Sequence, residues 1–153
     1  MQEKNEAPPA RARGFRRHVG YTTTAWRDGF AEIELILGPE HMNSLNIVHG
    51  GVYMTLLDAA LGHAVCWCSV PGHARFAVTV SLATTFVDSA QLDENGQGKL
   101  IATGRLDGIH ERIGTTTGEV RDSYGRLCAT GVATFRYFAG SEHIEGVAKR
   151  RNI

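Results

Sequence analysis

The 153-residue chain is poor in cysteine. Its three, Cys66, Cys68 and Cys128, form an odd and sparse set that cannot make a disulfide framework, so a reducing, cytoplasmic setting is the expectation. There is no surplus of either charge, with sixteen Lys and Arg against sixteen Asp and Glu. A chain without net charge has no long-range pull toward nucleic acid or an anionic membrane, and neither is expected as a partner. No apolar run approaches the ~20 residues that a membrane-spanning helix needs. The opening MQEKNEAPPARARGFRR lacks the apolar core of an export signal. Repeats and low-complexity tracts are missing too. One globular domain is expected, since this length buries a real core but leaves little for a second one.

Metal ligands are also scarce. His63, Cys66 and Cys68 fall within six residues, but the spacing is irregular and no second ligand pair balances it. A structural zinc site wants four well-placed ligands, so no metal is expected and the thiols read as small apolar core groups.

The chain divides into an arginine-bearing arm at 1–19, a domain at 20–138 and a tail at 139–153. In FAEIELIL, Phe30, Ile33, Leu35 and Leu37 alternate with Glu32 and Glu34, the pattern of a half-buried strand. Gly38-Pro39 breaks it, and GPEHMNSLNIVHGG is an irregular loop. A long helix is predicted from Gly50 to about Ser69, stopped by Val70-Pro71-Gly72. Then come FAVTVSLATTFVD, KLIATGRLDGIH, GTTTGEVRD and RLCATGVATFRYF, all of strand composition. Links this short exclude parallel crossovers. The class is therefore α+β, one long helix covered by a curled antiparallel sheet of five to six strands.

The helix NIVHGGVYMTLLDAALGHAV is apolar nearly all round, with small Ala59, Ala60, Gly62 and Ala64 allowing a sheet to approach closely. Asp58 stands among them. A buried carboxylate must find a partner, sit at a cleft or protonate, unless it simply faces water from an exposed strip. His49-Gly50-Gly51 lie where helix N–H groups are unpaired and the macrodipole favours negative charge. A carbonyl oxygen becoming an oxyanion would be stabilised there. Gly50 and Asp58 are separated by roughly 12 Å at 1.5 Å per residue, too far to act on one group within one chain. Joint action requires two subunits around a twofold axis.

HGG followed by VYMTLLDAALG, after a loop containing Asn43 and before a run of antiparallel strands, resembles the hotdog-fold acyl-CoA thioesterases of the phenylacetate-pathway (PaaI-like) type. The resemblance spans about residues 20–137. It implies a hotdog fold and hydrolysis of a small or aromatic acyl-CoA, with no cofactor besides the coenzyme A of the substrate. It implies that the Gly50 N–H polarises the thioester carbonyl, and that Asp58, from the neighbouring subunit, is nucleophile or general base. Asn43 and His49 would orient the thioester or the water, and Thr79 takes a place often held by a water-positioning serine. HERIGT resembles a coenzyme A-binding segment, which makes Arg112, Ile113 and Gly114 substrate contacts alongside Gly51 and Val52. Tyr53, Leu57 and residues near Trp67 or Phe76 are the expected pocket walls. A homodimer or homotetramer is expected. The alternatives are a hotdog hydratase or dehydratase and a non-catalytic acyl-CoA-binding module.

Overall fold

The computed structural model describes residues 14–149. The expected arm at 1–19 and tail at 139–153 thus fall partly outside the described residues. Two helices, α1 (Phe15–Val19) and α2 (Gly50–Cys66), accompany eight strands: β1 (Thr22–Arg27), β2 (Phe30–Ile36), β3 (His73–Ala74), β4 (Ala77–Phe86), β5 (Lys99–His110), β6 (Ile113–Asp122), β7 (Leu127–Tyr137) and β8 (Val147–Ala148). Six of them form one antiparallel sheet in the order β1-β2-β5-β6-β7-β4, within the range the sequence predicts. The remaining two, β3 and β8, pair with each other.

Helix α2 packs across the sheet, touching β2, β4, β5, β6 and β7. It buries Tyr53, Leu56, Leu57, Ala60, Leu61, Ala64 and Val65. Each large apolar side chain so removed from water contributes about 1.5–3 kcal/mol. The close approach is made from the sheet side as well. Gly104, Gly118 and Gly131 stand in register across β5, β6 and β7. A Cβ on Gly104 would lie 2.5 Å from the Ala60 carbonyl oxygen, one on Gly118 2.9 Å from Leu61 Cδ2, and one on Gly131 3.1 Å from Leu57 Cδ1. The stripe of bare backbone is the trough in which the helix lies.

The structure departs from the sequence reading in three places. The helix is not buried all round, because β1 and β4 are free edges of an unclosed sheet and a strip including Gly51, Met54 and Asp58 stays exposed. It stops at Cys66, three residues early. There Trp67 turns extended, with ψ 138°, and its carbonyl accepts from Nη1 of buried Arg75 at 3.2 Å. The Arg75 guanidinium also donates to the carbonyls of Ser141 (2.8 Å) and Glu142 (3.1 Å), which draws the tail in so that β8 can pair with β3. Finally, residues 15–19 of the arm are helical: α1 ends at left-handed Gly20 (φ 89°), and Val19 and Tyr21 pack on the core.

Two of the three candidate metal ligands, His63 and Cys68, have backbone partners, and Cys66 is a half-buried free thiol. Nδ1 of His63 lies 2.7 Å from the Ala59 carbonyl, its ring meets Trp26 edge-on, and Cys68 Sγ lies 3.2 Å from the Glu145 carbonyl.

Candidate active site

The loop before α2 is fixed by its own polar side chains. Asn43 Oδ1 accepts from the backbone N–H of Leu45 (2.9 Å) and Ile47 (3.3 Å), which closes the loop as an Asx turn. Buried His41, which the sequence does not single out, pins it from behind. Its Nδ1 accepts from the Gly38 N–H at 2.9 Å, so the proton of the neutral ring is on Nε2, which donates to the Val19 carbonyl at 2.8 Å. The only sequence signal for such a role is a histidine two residues after a Gly-Pro break.

His49 is the N-cap of α2. Its Nδ1 accepts from the Gly51 N–H at 2.9 Å, which takes that amide out of use. Among the described residues the Gly50 N–H meets no acceptor. The two donors suggested by HGG therefore reduce to one. A Cβ at Gly51 would sit 3.1 Å from His49 Nδ1, so bare backbone at Gly51 is what lets the cap form.

Two hollows flank the helix start. One, of about 370 Å³, joins Gly50 and Asn43 to Tyr53, Phe86, Asp88 and Ser89. The other, of about 430 Å³, lies on the opposite side and joins His49, Gly51, Val52 and Thr55 to α1. Asp58 lines neither. It stands two turns along the exposed strip, where the Thr79 hydroxyl donates to its Oδ1 at 2.7 Å. The β4–β7 register slips between Thr79 and Ser81, so Thr79 reaches the helix next to a β-bulge at exposed Val80. One carboxylate oxygen is thereby held, and among the described residues the other meets no donor.

Tyr21 lies within the field of this carboxylate, and Arg16 lies over the Tyr21 ring. Burial pushes the Tyr21 hydroxyl up, the Arg16 guanidinium 5.3 Å from its ring centre pulls it back, and the Asp58 carboxylate raises it again. Neither residue stands out in the sequence, because nothing local ties residues 16–21 to position 58.

Ile113 and Gly114 lie opposite Arg136 and Phe135 of β7, and Phe135 in turn lies opposite Thr79. Gly114 is thus two strands from Thr79, about 10 Å at 4.8 Å per strand. Arg112 precedes them in the β5–β6 turn, after Glu111 with φ 54°. Among the expected pocket walls, Tyr53 lines a hollow, but Leu57 is wholly buried against the sheet and lines none.

Residues 45–129, which hold the helix, Thr79, and the Arg112 turn, match the family model of the thioesterase superfamily. The chain belongs to that superfamily. A curated relative from Archaeoglobus fulgidus, named "Putative esterase", is 27% identical over 108 residues, 71% of this chain and 64% of that protein, just short of two thirds of its length. Among solved structures, conserved protein PA5202 of Pseudomonas aeruginosa is similar with a TM-score of 0.71 at 23% identity, over 85% of this chain and 100% of that one. The PaaI protein of the Escherichia coli phenylacetic acid degradation operon gives 0.69 at 19%, over 88% and 86%. Thioesterase HI1161 of Haemophilus influenzae gives 0.69 at 18%, over 80% and 81%. At these identities the likeness establishes the fold: this superfamily member has the hotdog fold, one long helix in a curled, unclosed sheet.

Proposed function

We propose that this thioesterase-superfamily protein hydrolyses the thioester of a small or aromatic acyl-CoA in a site shared by two subunits. The observation that carries the reading is the division of labour on α2. Among the described residues, Gly50 has the one unbonded amide of the HGG turn, and Asp58, about 12 Å away, has one oxygen tethered to Thr79 and the other open. The Gly50 N–H polarises the carbonyl and holds the oxyanion, aided by the positive end of the helix. The partner subunit's Asp58 takes a proton from water as water adds to the carbonyl carbon. Collapse of the adduct breaks the C–S bond, and the coenzyme A thiolate leaves with that proton. In the alternative course Asp58 itself adds to the carbon and collapse of the adduct breaks the C–S bond, expelling the coenzyme A thiolate; water then opens the resulting anhydride, which frees the acid and the Asp58 carboxylate and supplies a proton to the thiolate. His49 and Asn43 keep the Gly50 amide in place, while Arg112, Ile113 and Gly114 contact coenzyme A.

Association fits the surface. Edge strand β4 exposes Val78 and Val80, and farther along the same edge Val132 of β7 is exposed opposite Ala83, apolar surface that a second copy would cover. Among the described residues no helix is long and apolar enough to cross a membrane.

Asp58→Asn keeps the side chain's size and a hydrogen-bonding oxygen for Thr79 but removes the base. We expect thiol release from acyl-CoA to fall by roughly 10²–10⁴, with circular dichroism and melting temperature unchanged. Near-normal turnover in this variant would refute the mechanism. Hydration without thiol release would point to the dehydratase reading, and binding without chemistry to a non-catalytic module.

A further inference from the structure

The 430 Å³ hollow beside His49 has a wall that comes from outside the matched region, the short helix α1. Its apolar lining is Phe15, Val19, Met42 and Val52. Phe15 is 66% exposed, a large aromatic on which few of the described residues pack, at the rim of a cleft. The wall is fixed, because His41 ties the end of α1 to the loop through the Val19 carbonyl and Val19 packs on the core. The charge at the rim is turned aside: the Glu40 carboxylate folds back over Gly38, where a Cβ would meet its oxygen at 2.5 Å. The hollow on the Gly50 side mixes apolar Val48, Tyr53 and Phe86 with Asn43, Ser89 and the Asp88 carboxylate, an anion that the hollow beside α1 holds only in the turned-back Glu40.

Location matters as much as lining. His49 and Gly51 form part of this hollow, so it begins one residue from the Gly50 amide. Its size falls within the few hundred Å³ that small apolar ligands fill. We propose that this hollow receives the acyl group of the thioester, and that Phe15 on α1 is a specificity-determining residue which selects acyl groups of aromatic or medium aliphatic size. The inference rests on the thioesterase reading for its ligand. The occupant is an acyl group with an apolar body, since Phe15, Val19, Met42 and Val52 offer it aliphatic and aromatic surface, while His18 is the further polar side chain that α1 brings to the lining.

The test uses the full chain and non-hydrolysable thioether analogues of acetyl-, hexanoyl- and phenylacetyl-CoA, with binding by calorimetry beside turnover of the true thioesters. In Phe15→Ala, affinity for the hexanoyl and phenylacetyl analogues falls about tenfold, as lost apolar contact predicts, while acetyl affinity stays within about twofold. Val52→Phe, which fills the hollow from the helix side, excludes the larger groups more strongly than acetyl. Equal changes across the three analogues, or no change in either variant, would overturn the acyl assignment whether or not the protein turns over. Selective binding with no turnover of any thioester would overturn the hydrolase reading and keep the subsite. No binding of any analogue would overturn both.

Discussion

At the scale of single residues, what decides the site is where each polar group finds its partner. The Asp58 carboxylate is exposed in the single chain and tethered by Thr79, and the amide of Gly51 belongs to His49. The sequence places these residues on or near one helix but not which of their atoms remain free, because hydrogen bonds between positions 58 and 79 or 41 and 19 depend on how the strands lie. His63 makes the same point for stability. Burial holds its imidazole below the ordinary value of 6.5, against the Ala59 carbonyl bond that raises it, with nearby Arg16 lowering it further. A base whose folded value is depressed binds protons more readily when unfolded, so it favours unfolding as pH falls below about 6.5. We expect the melting temperature to drop between pH 7 and pH 5, and His63→Gln to flatten that part of the profile. Thermal scans across that range check it; an identical slope in the variant would show that the drop arises elsewhere.

At the scale of elements, most of the architecture is legible from pattern. Alternation in FAEIELIL and the Val/Thr-rich runs give β2 and β4 to β7 nearly residue for residue, since half-buried strands advertise themselves with period two. The end of α2 was not legible, because it depends on a guanidinium eight residues past Trp67. Nor was the glycine trough: Gly104, Gly118 and Gly131 are visible in the sequence, but their alignment is a matter of register. The trough is testable. Gly104→Ala drives a Cβ to 2.5 Å from backbone that cannot retreat without moving α2, an overpacking cost of about 1–3 kcal/mol or more. Gly108→Ala, where nothing lies within 4 Å, is the control on the same strand. Chemical denaturation of the two should separate them by at least ~1 kcal/mol; equal stabilities would mean the helix does not rest on bare backbone at Gly104.

At the scale of the whole molecule, the proposed chemistry lives between copies. If each site takes Gly50 from one subunit and Asp58 from the other, two inactive variants should repair one another. Asp58→Ala and Gly50→Pro, which removes the N–H, are each expected to be inactive. Unfolded together and refolded in equal amounts, they should recover about one quarter of wild-type turnover, because half of random dimers are mixed and each mixed dimer has one intact site of two. No recovery, with mixed dimers demonstrated by differential tagging, would place both groups in one chain's site.

The sequence by itself determined the class of fold, one apolar helix against alternating strands, and pointed to a helix start and a carboxylate set too far apart along 1.5 Å steps to serve one reacting group. Those are consequences of local periodicity and of covalent spacing, which the chain carries wherever it goes. Only the tertiary structure decided that Thr79 holds Asp58, that His49 uses up the Gly51 amide and leaves Gly50, and that α1 walls a hollow at the helix start. Each of those joins residues far apart in the chain or settles a competition for one hydrogen bond, and both are resolved by packing in three dimensions.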